Sequence, residues 1–67
     1  MYFGENLRSE RQRKGITQKL LAEKAGVSTA AIAQYELGTK SPSIVTAERI
    51  AEALGVRLEK LLKPRKE

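Results

Sequence analysis

The stretch TQKLLAEKAGVSTAAIAQYEL, residues 17–37, decides the fold. Thr17 is a good N-cap, because its hydroxyl can accept one of the amide hydrogens that a helix leaves unpaired in its first turn. The residues that follow it, as far as Ala25, are mostly strong helix formers. Leu21 and Ala25 fall on one side of that helix, with Ala22 beside them. Gly26 fits the left-handed conformation that ends a helix. Ser28 caps a second helix, which the pattern carries to about Leu37. Two short helices joined by Gly26-Val27 make a tight corner. The small side chains of Ala22 and Ala25 let the two axes approach, and Val27 can plug the turn from below.

The second helix of the corner has two unlike sides. Placed at about 100° per residue, Ala31, Ile32 and Tyr35 fall on one side with Ser28. Thr29, Ala30, Ala33, Gln34 and Leu37 fall on the other. This outer side is small and nearly uncharged, whereas a solvated helix face ordinarily carries Lys and Glu. Small side chains allow a helix backbone to lie deep in the major groove of DNA, which is about as wide as a helix. Gln34 can bond adenine through two groups, and Thr29 can bond a base or touch a thymine methyl. The corner would let this helix project from the body, the docking geometry of helix-turn-helix proteins. The same face could instead pack on another chain or on a later helix, and an αα-corner alone occurs in many bundles.

Upstream, the sequence predicts a helix from about Gly4 to Lys14, with Phe3 and Leu7 on one stripe and Gly15 as its stop. Arg11 continues that stripe toward its edge, and Glu36 lies at the border between the two sides of the second corner helix. A partly desolvated guanidinium wants a carboxylate. Periodicity alone is met more simply by two independent surface charges. Downstream, a helix is expected to open near Ser41-Pro42, with serine as cap and proline at the first helical position. Its apolar stripe is Ala47, Ile50, Ala51 and Leu54, at spacing i, i+3, i+4, i+7, and Gly55 closes it. A last helix is expected from about Arg57 to Lys63, with Leu58, Leu61 and Leu62. The β-branched residues are scattered rather than alternating. The fold class expected is therefore all-α, a compact bundle of four to five short helices. One domain covers 1–63, and 64–67 (Pro64-Arg65-Lys66-Glu67) is expected to be a disordered basic tail.

A chain of 67 residues is enough for one domain. A core of this size rarely supplies more than ~3–5 kcal/mol without help. The chain has no cysteine and no histidine. Disulfides and thiolate metal sites are excluded, and the commonest zinc ligand is missing. No metal and no cofactor are expected. Helix packing remains, together with association with a second copy. Lysine and arginine total 13 against 8 acids, a net charge of +5. That excess favours a polyanionic partner, nucleic acid or an anionic membrane, and it also serves solubility. No apolar run approaches the length of a membrane span. The basic residues are spread among acids rather than gathered on one broad face, so no membrane partner is expected. Met1-Tyr2-Phe3 is too short for a signal peptide, which makes a cytoplasmic location the expectation. No nucleophile–base–orienter set is recognisable, and a bundle of this size offers little concavity for a substrate or small-molecule ligand. An enzyme is not expected.

Read in order, these residues resemble the lambda repressor/Cro-like (XRE-type) helix-turn-helix family along nearly the whole chain. The matching words are Asn6-Leu7-Arg8 with Arg11, Gly15-Ile16-Thr17-Gln18, Leu21-Ala22, Ala25-Gly26-Val27-Ser28, Ile32, Tyr35-Glu36 and Gly38. Pro42-Ser43 and Ile50-Ala51-Glu52-Ala53-Leu54-Gly55-Val56 complete them. The resemblance implies that the second corner helix enters the major groove of double-stranded DNA. It implies base contacts from Thr29, Ala30, Ala33 and Gln34, with Ser28 nearby. It makes Gln18 a cap at the start of the first corner helix, against a phosphate. It lays Thr39, Lys40 and Ser41 along the backbone, and it makes Arg11 and Glu36 a buried structural pair with Arg11 also near phosphate. This chain departs from the family at Ala30, where a long polar residue is common. Leu37 stands in place of a usual polar backbone contact, and Leu20 where polar residues are usual.

The function expected is a sequence-specific DNA-binding transcriptional regulator, a repressor by likeness. One domain touches only a few base pairs, so a homodimer on a palindromic operator is expected, with half-sites ~34 Å apart. Ile44, Val45, Leu58 and Leu62 are candidates for the dimer interface, or they simply fill the core. The alternative is a protein-interaction adaptor, antitoxin- or coactivator-like, on the same fold.

Overall fold

The structure is a computed structural model that describes residues 2–64. It contains five helices and, among the described residues, no strand. These are α1 (Phe3–Arg13), α2 (Gln18–Ala25), α3 (Thr29–Leu37), α4 (Ile44–Leu54) and α5 (Leu58–Leu62). Hydroxyls start the middle three. Thr17 accepts from the Leu20 amide at 3.0 Å, Ser28 from the Ala31 amide at 3.0 Å and Ser43 from the Thr46 amide at 3.2 Å. Each of these interactions satisfies one orphan donor of a first turn. Gly26, at φ +73°, supplies the left-handed residue between α2 and α3 that a Cβ would strain.

Three helices differ in their bounds from the sequence reading, α5 (Leu58–Leu62) by only one residue at each end. The helix expected from Ser41-Pro42 begins at Ile44, with Ser43 as its cap. A serine flanks Pro42 on each side, and the core-facing stripe starts only at Ala47. A turn begun at Pro42 would bury no further apolar surface, and Ser43 already captures the Thr46 amide. Lys40, Ser41 and Pro42 therefore stay outside any helix. The first helix starts and ends one residue earlier than expected. The Tyr2 carbonyl accepts the Asn6 amide at 3.0 Å, which draws Phe3 into the first turn. Of the tail expected over 64–67, only Pro64 falls among the described residues.

The helices pack as a ring: α1 on α3, α3 on α2, α2 on α4, α4 on α5 and α5 back on α1. Each contributes one large side chain sealed completely from solvent, namely Leu7, Leu21, Ile32, Ile50 and Leu61. Phe3 meets Tyr35 edge to face, ring centroids 6.3 Å apart and planes at 85°, which ties α1 to the last turn of α3. Asn6 is buried on the α5 side of α1. Its Nδ2 donates to the carbonyls of Leu61 at 2.9 Å and Lys63 at 2.6 Å, which satisfies chain ends that α5 cannot pair internally.

Candidate nucleic-acid interface

The outer side of α3 is open. Ser28, Thr29, Ala30, Gln34 and Leu37 are exposed, and Ala33 is half-buried. Ile32 and Tyr35 are buried on the opposite side, with Ala31 packed against the core. The division follows the helical period. Ile32 and Tyr35 lie three residues apart and face α1 and α2, while the residues between them turn outward. Ser28 is exposed, yet its Oγ is already engaged at the Ala31 amide. It reaches the surface as the cap of α3, which leaves its O–H as the available donor.

A shared carboxylate holds the helix in place. Glu36 Oε2 accepts from Arg11 Nε at 2.7 Å, and Oε1 accepts from Arg11 Nη2 at 3.1 Å and from Gln18 Nε2 at 3.0 Å. One residue of α3 thereby ties α1 and α2 together. The Glu36 side chain is 3% exposed and that of Arg11 13%. Arg11 Nη1 also donates to the Ile16 carbonyl at 2.9 Å, just ahead of α2. Three of the five guanidinium N–H groups are thus committed inside the protein. The Glu36 hydrogen bond raises the Arg11 pKa above its already high ordinary value, with desolvation opposing it. The guanidinium stays charged at any ordinary pH. Gln18 is the first residue of α2, not its cap, which is Thr17.

The connection after α3 continues the exposed surface. Thr39 Oγ1 donates to the Gln34 carbonyl at 3.3 Å, and the Thr39 amide donates to the same oxygen at 3.1 Å. This folds Thr39 back over the end of α3. Lys40 and Ser41 follow, both exposed. Of the apolar residues expected at an interface, Ile44, Val45 and Leu62 are exposed, while Leu58 is half-buried against the core.

Gly4 was not singled out in the sequence, yet it sets where α3 stands. It is buried, and a Cβ there would run into the Tyr35 carbonyl oxygen and lie 2.9 Å from that of Glu36. The backbone of α1 therefore rests directly on the last turn of α3. The available signal was a glycine inside a helical pattern, next to the apolar stripe, where any other residue would be a better helix former.

A family model described as helix-turn-helix matches residues 7–61. An uncharacterized HTH-type transcriptional regulator of Bacillus subtilis, YqaE, is 41% identical over 61 residues. That match covers 91% of this chain and 53% of YqaE, so the chain spans about half of that relative's length. The crystal structure of the restriction-modification controller protein C.AhdI from Aeromonas hydrophila superposes with a TM-score of 0.87 at 32% identity, covering 90% of this chain and 91% of that one. The P22 c2 repressor, crystallised with a synthetic operator, gives a TM-score of 0.87 at 32% identity, covering 94% and 96%.

Proposed function

The chain belongs to the XRE-type helix-turn-helix family, and on that premise we propose that it is a sequence-specific transcriptional regulator that binds double-stranded DNA. The observation that carries this reading is the outer side of α3. Thr29, Ala30 and Gln34 are exposed on a helix whose other side is anchored by Ile32, Tyr35 and the Glu36 hub. In this reading α3 lies in the major groove. Gln34 bonds adenine through its amide, and Thr29 meets a neighbouring base. Gln18, the remaining Arg11 donors, Thr39, Lys40 and Ser41 contact phosphate, and the net charge of +5 draws the protein to the duplex. Two copies bind a palindromic operator, and the protein works in the cytoplasm, as a repressor. The likeness to a repressor solved on its operator supports the reading.

Selection from a pool of random duplexes tests it. A two-fold symmetric consensus is the expected product, and the absence of any enriched sequence overturns it. A second reading has one observation in its favour: Leu37 is 75% exposed, which suits a protein partner. Salt separates the two. DNA binding through Z phosphates makes log affinity fall with log salt at a slope of about −0.9Z, whereas an adaptor's affinity for its partner is far less sensitive.

A further inference from the structure

Along the sequence the cations are mixed with acids, but the fold gathers five of them at one place. Arg13 and Lys14, at the end of α1, share a cleft of about 770 Å³ with Arg57, Lys60 and Lys63, on and beside α5. The last three recur every third residue, about 4.5 Å apart along a helix axis, and so form a row. Two carboxylates also line the cleft, Glu10 and Glu59. Glu10 is buried, and its Oε1 accepts from Arg13 Nη2 at 2.7 Å and from Arg13 Nε at 3.2 Å. Lys14, Arg57, Lys60 and Lys63 are exposed and make no ion pair among the described residues. Five cations against two acids leave an excess of three positive charges, most of the chain's net +5. Like charges gathered without counterions repel one another, and a cleft concentrates their field. None of the lining residues comes from α2, α3 or the connection at 39–41. The cleft is therefore separate from the surface assigned to DNA. Its volume lies within the roughly 300–1,000 Å³ of small-ligand sites.

We propose that the cleft between α1 and α5 binds a small ligand built on a chain of two or more linked phosphates. A single phosphate would meet only part of the row, whereas a chain places successive charges against successive cations. Arg57 can hold two oxygens of one phosphate through its planar fork, and the lysines act as point charges. The Ser9 hydroxyl lies half-buried in the lining, without a hydrogen bond among the described residues, and can donate to a further oxygen.

Inorganic tripolyphosphate is the probe, titrated into the whole chain without divalent metal. One molecule should bind per chain, about tenfold or more tighter than orthophosphate. Amide NMR shifts should gather at Ser9, Lys14 and residues 56–63. Arg57→Gln with Lys60→Gln should lower the affinity by about tenfold or more. Lys19→Gln with Lys24→Gln removes the same charge from exposed positions outside the cleft and should leave the affinity nearly unchanged. Adenosine triphosphate separates two sources of the same chain: tighter binding than tripolyphosphate assigns the site to nucleotides, and equal or weaker binding to the bare chain. Equal losses from the two double variants overturn the proposal, because the attraction is then to net charge alone. Shifts confined to α3 and residues 39–41 overturn it too, because the probe then sits on the surface assigned to DNA. Tighter binding of a hexaglutamate peptide than of tripolyphosphate also overturns it and gives the cleft to an acidic protein segment. The absence of saturable binding overturns it outright and leaves the DNA-binding reading untouched.

Discussion

Glu36 accepts from two other helices and is almost sealed from water. Glu36→Ala would leave the Arg11 guanidinium buried without its counterion and free the Gln18 amide. The expected cost is about 2–3 kcal/mol, read as a lower midpoint in urea. A loss below about 0.5 kcal/mol would show the pair to be a bystander, as exposed pairs usually are. The raised pKa of Arg11 makes the pair's contribution complete below the ordinary arginine value and lost only above the higher folded one. Titration of Arg11 therefore moves no stability near neutral pH. Gly4 acts through shape instead. Gly4→Ala drives a methyl into the Tyr35 carbonyl and must push α1 off α3. Although alanine is the better helix former, the substitution should destabilise by about 1–3 kcal/mol, the usual range for overpacking. A gain in thermal midpoint would mean that the contact relaxes freely. On the exposed side, Gln34→Ala should cost roughly 1–3 kcal/mol for one preferred base pair and little for others. Lys40→Ala should weaken every sequence alike and flatten the salt slope. Uniform loss from Gln34→Ala, measured on a panel of single-base operator variants, would remove it from readout.

Ser28 shows how one residue can both cap a helix and stand on its exposed side. Its oxygen caps α3 at the Ala31 amide, while its position faces outward beside Thr29. Ser28→Ala should cost about 1 kcal/mol of stability through the lost cap. Ser28→Asp keeps an acceptor for the cap and sets a negative charge on the side of α3 proposed to face DNA. It should hold the thermal midpoint near that of the wild type while weakening binding to all duplexes. Equal DNA affinity for Ser28→Asp would place the start of α3 away from the phosphates. The corner at α2 and α3 was readable because its determinants are local: a hydroxyl cap, a short apolar stripe, a glycine, and a second cap. The start of α4 was misplaced because Ser41 and Ser43 offer the same local chemistry on either side of Pro42. The choice between them is made by where the buried stripe begins, at Ala47. Gly4 and Asn6 stayed unreadable for another reason. Each answers to a partner far along the chain, the α3 carbonyls in one case and Leu61 and Lys63 in the other. The Arg11–Glu36 contact also joins distant residues, and family likeness, not periodicity, pointed to it.

A core in which each helix seals only one large side chain completely is small, and it leaves Ile44, Val45 and Leu62 in water. Leu58 differs from these three, because it already packs on the core and its replacement would weaken the monomer. A test of self-association therefore belongs to the exposed set. Two linked half-sites bind two associated copies far more tightly than one half-site binds one copy, because the second contact is made within the complex. If Ile44, Val45 and Leu62 meet a second copy, Val45→Lys and Leu62→Lys should abolish dimers in sedimentation equilibrium and leave the monomer's unfolding midpoint nearly unchanged. Affinity for a full palindrome should fall by roughly 10²-fold or more, while affinity for an isolated half-site holds. Retention of dimers by both variants would move the interface elsewhere. Equal loss on full and half sites would instead mean that these residues touch DNA, because a surface that only joins two copies does not alter how one copy reads its own half-site.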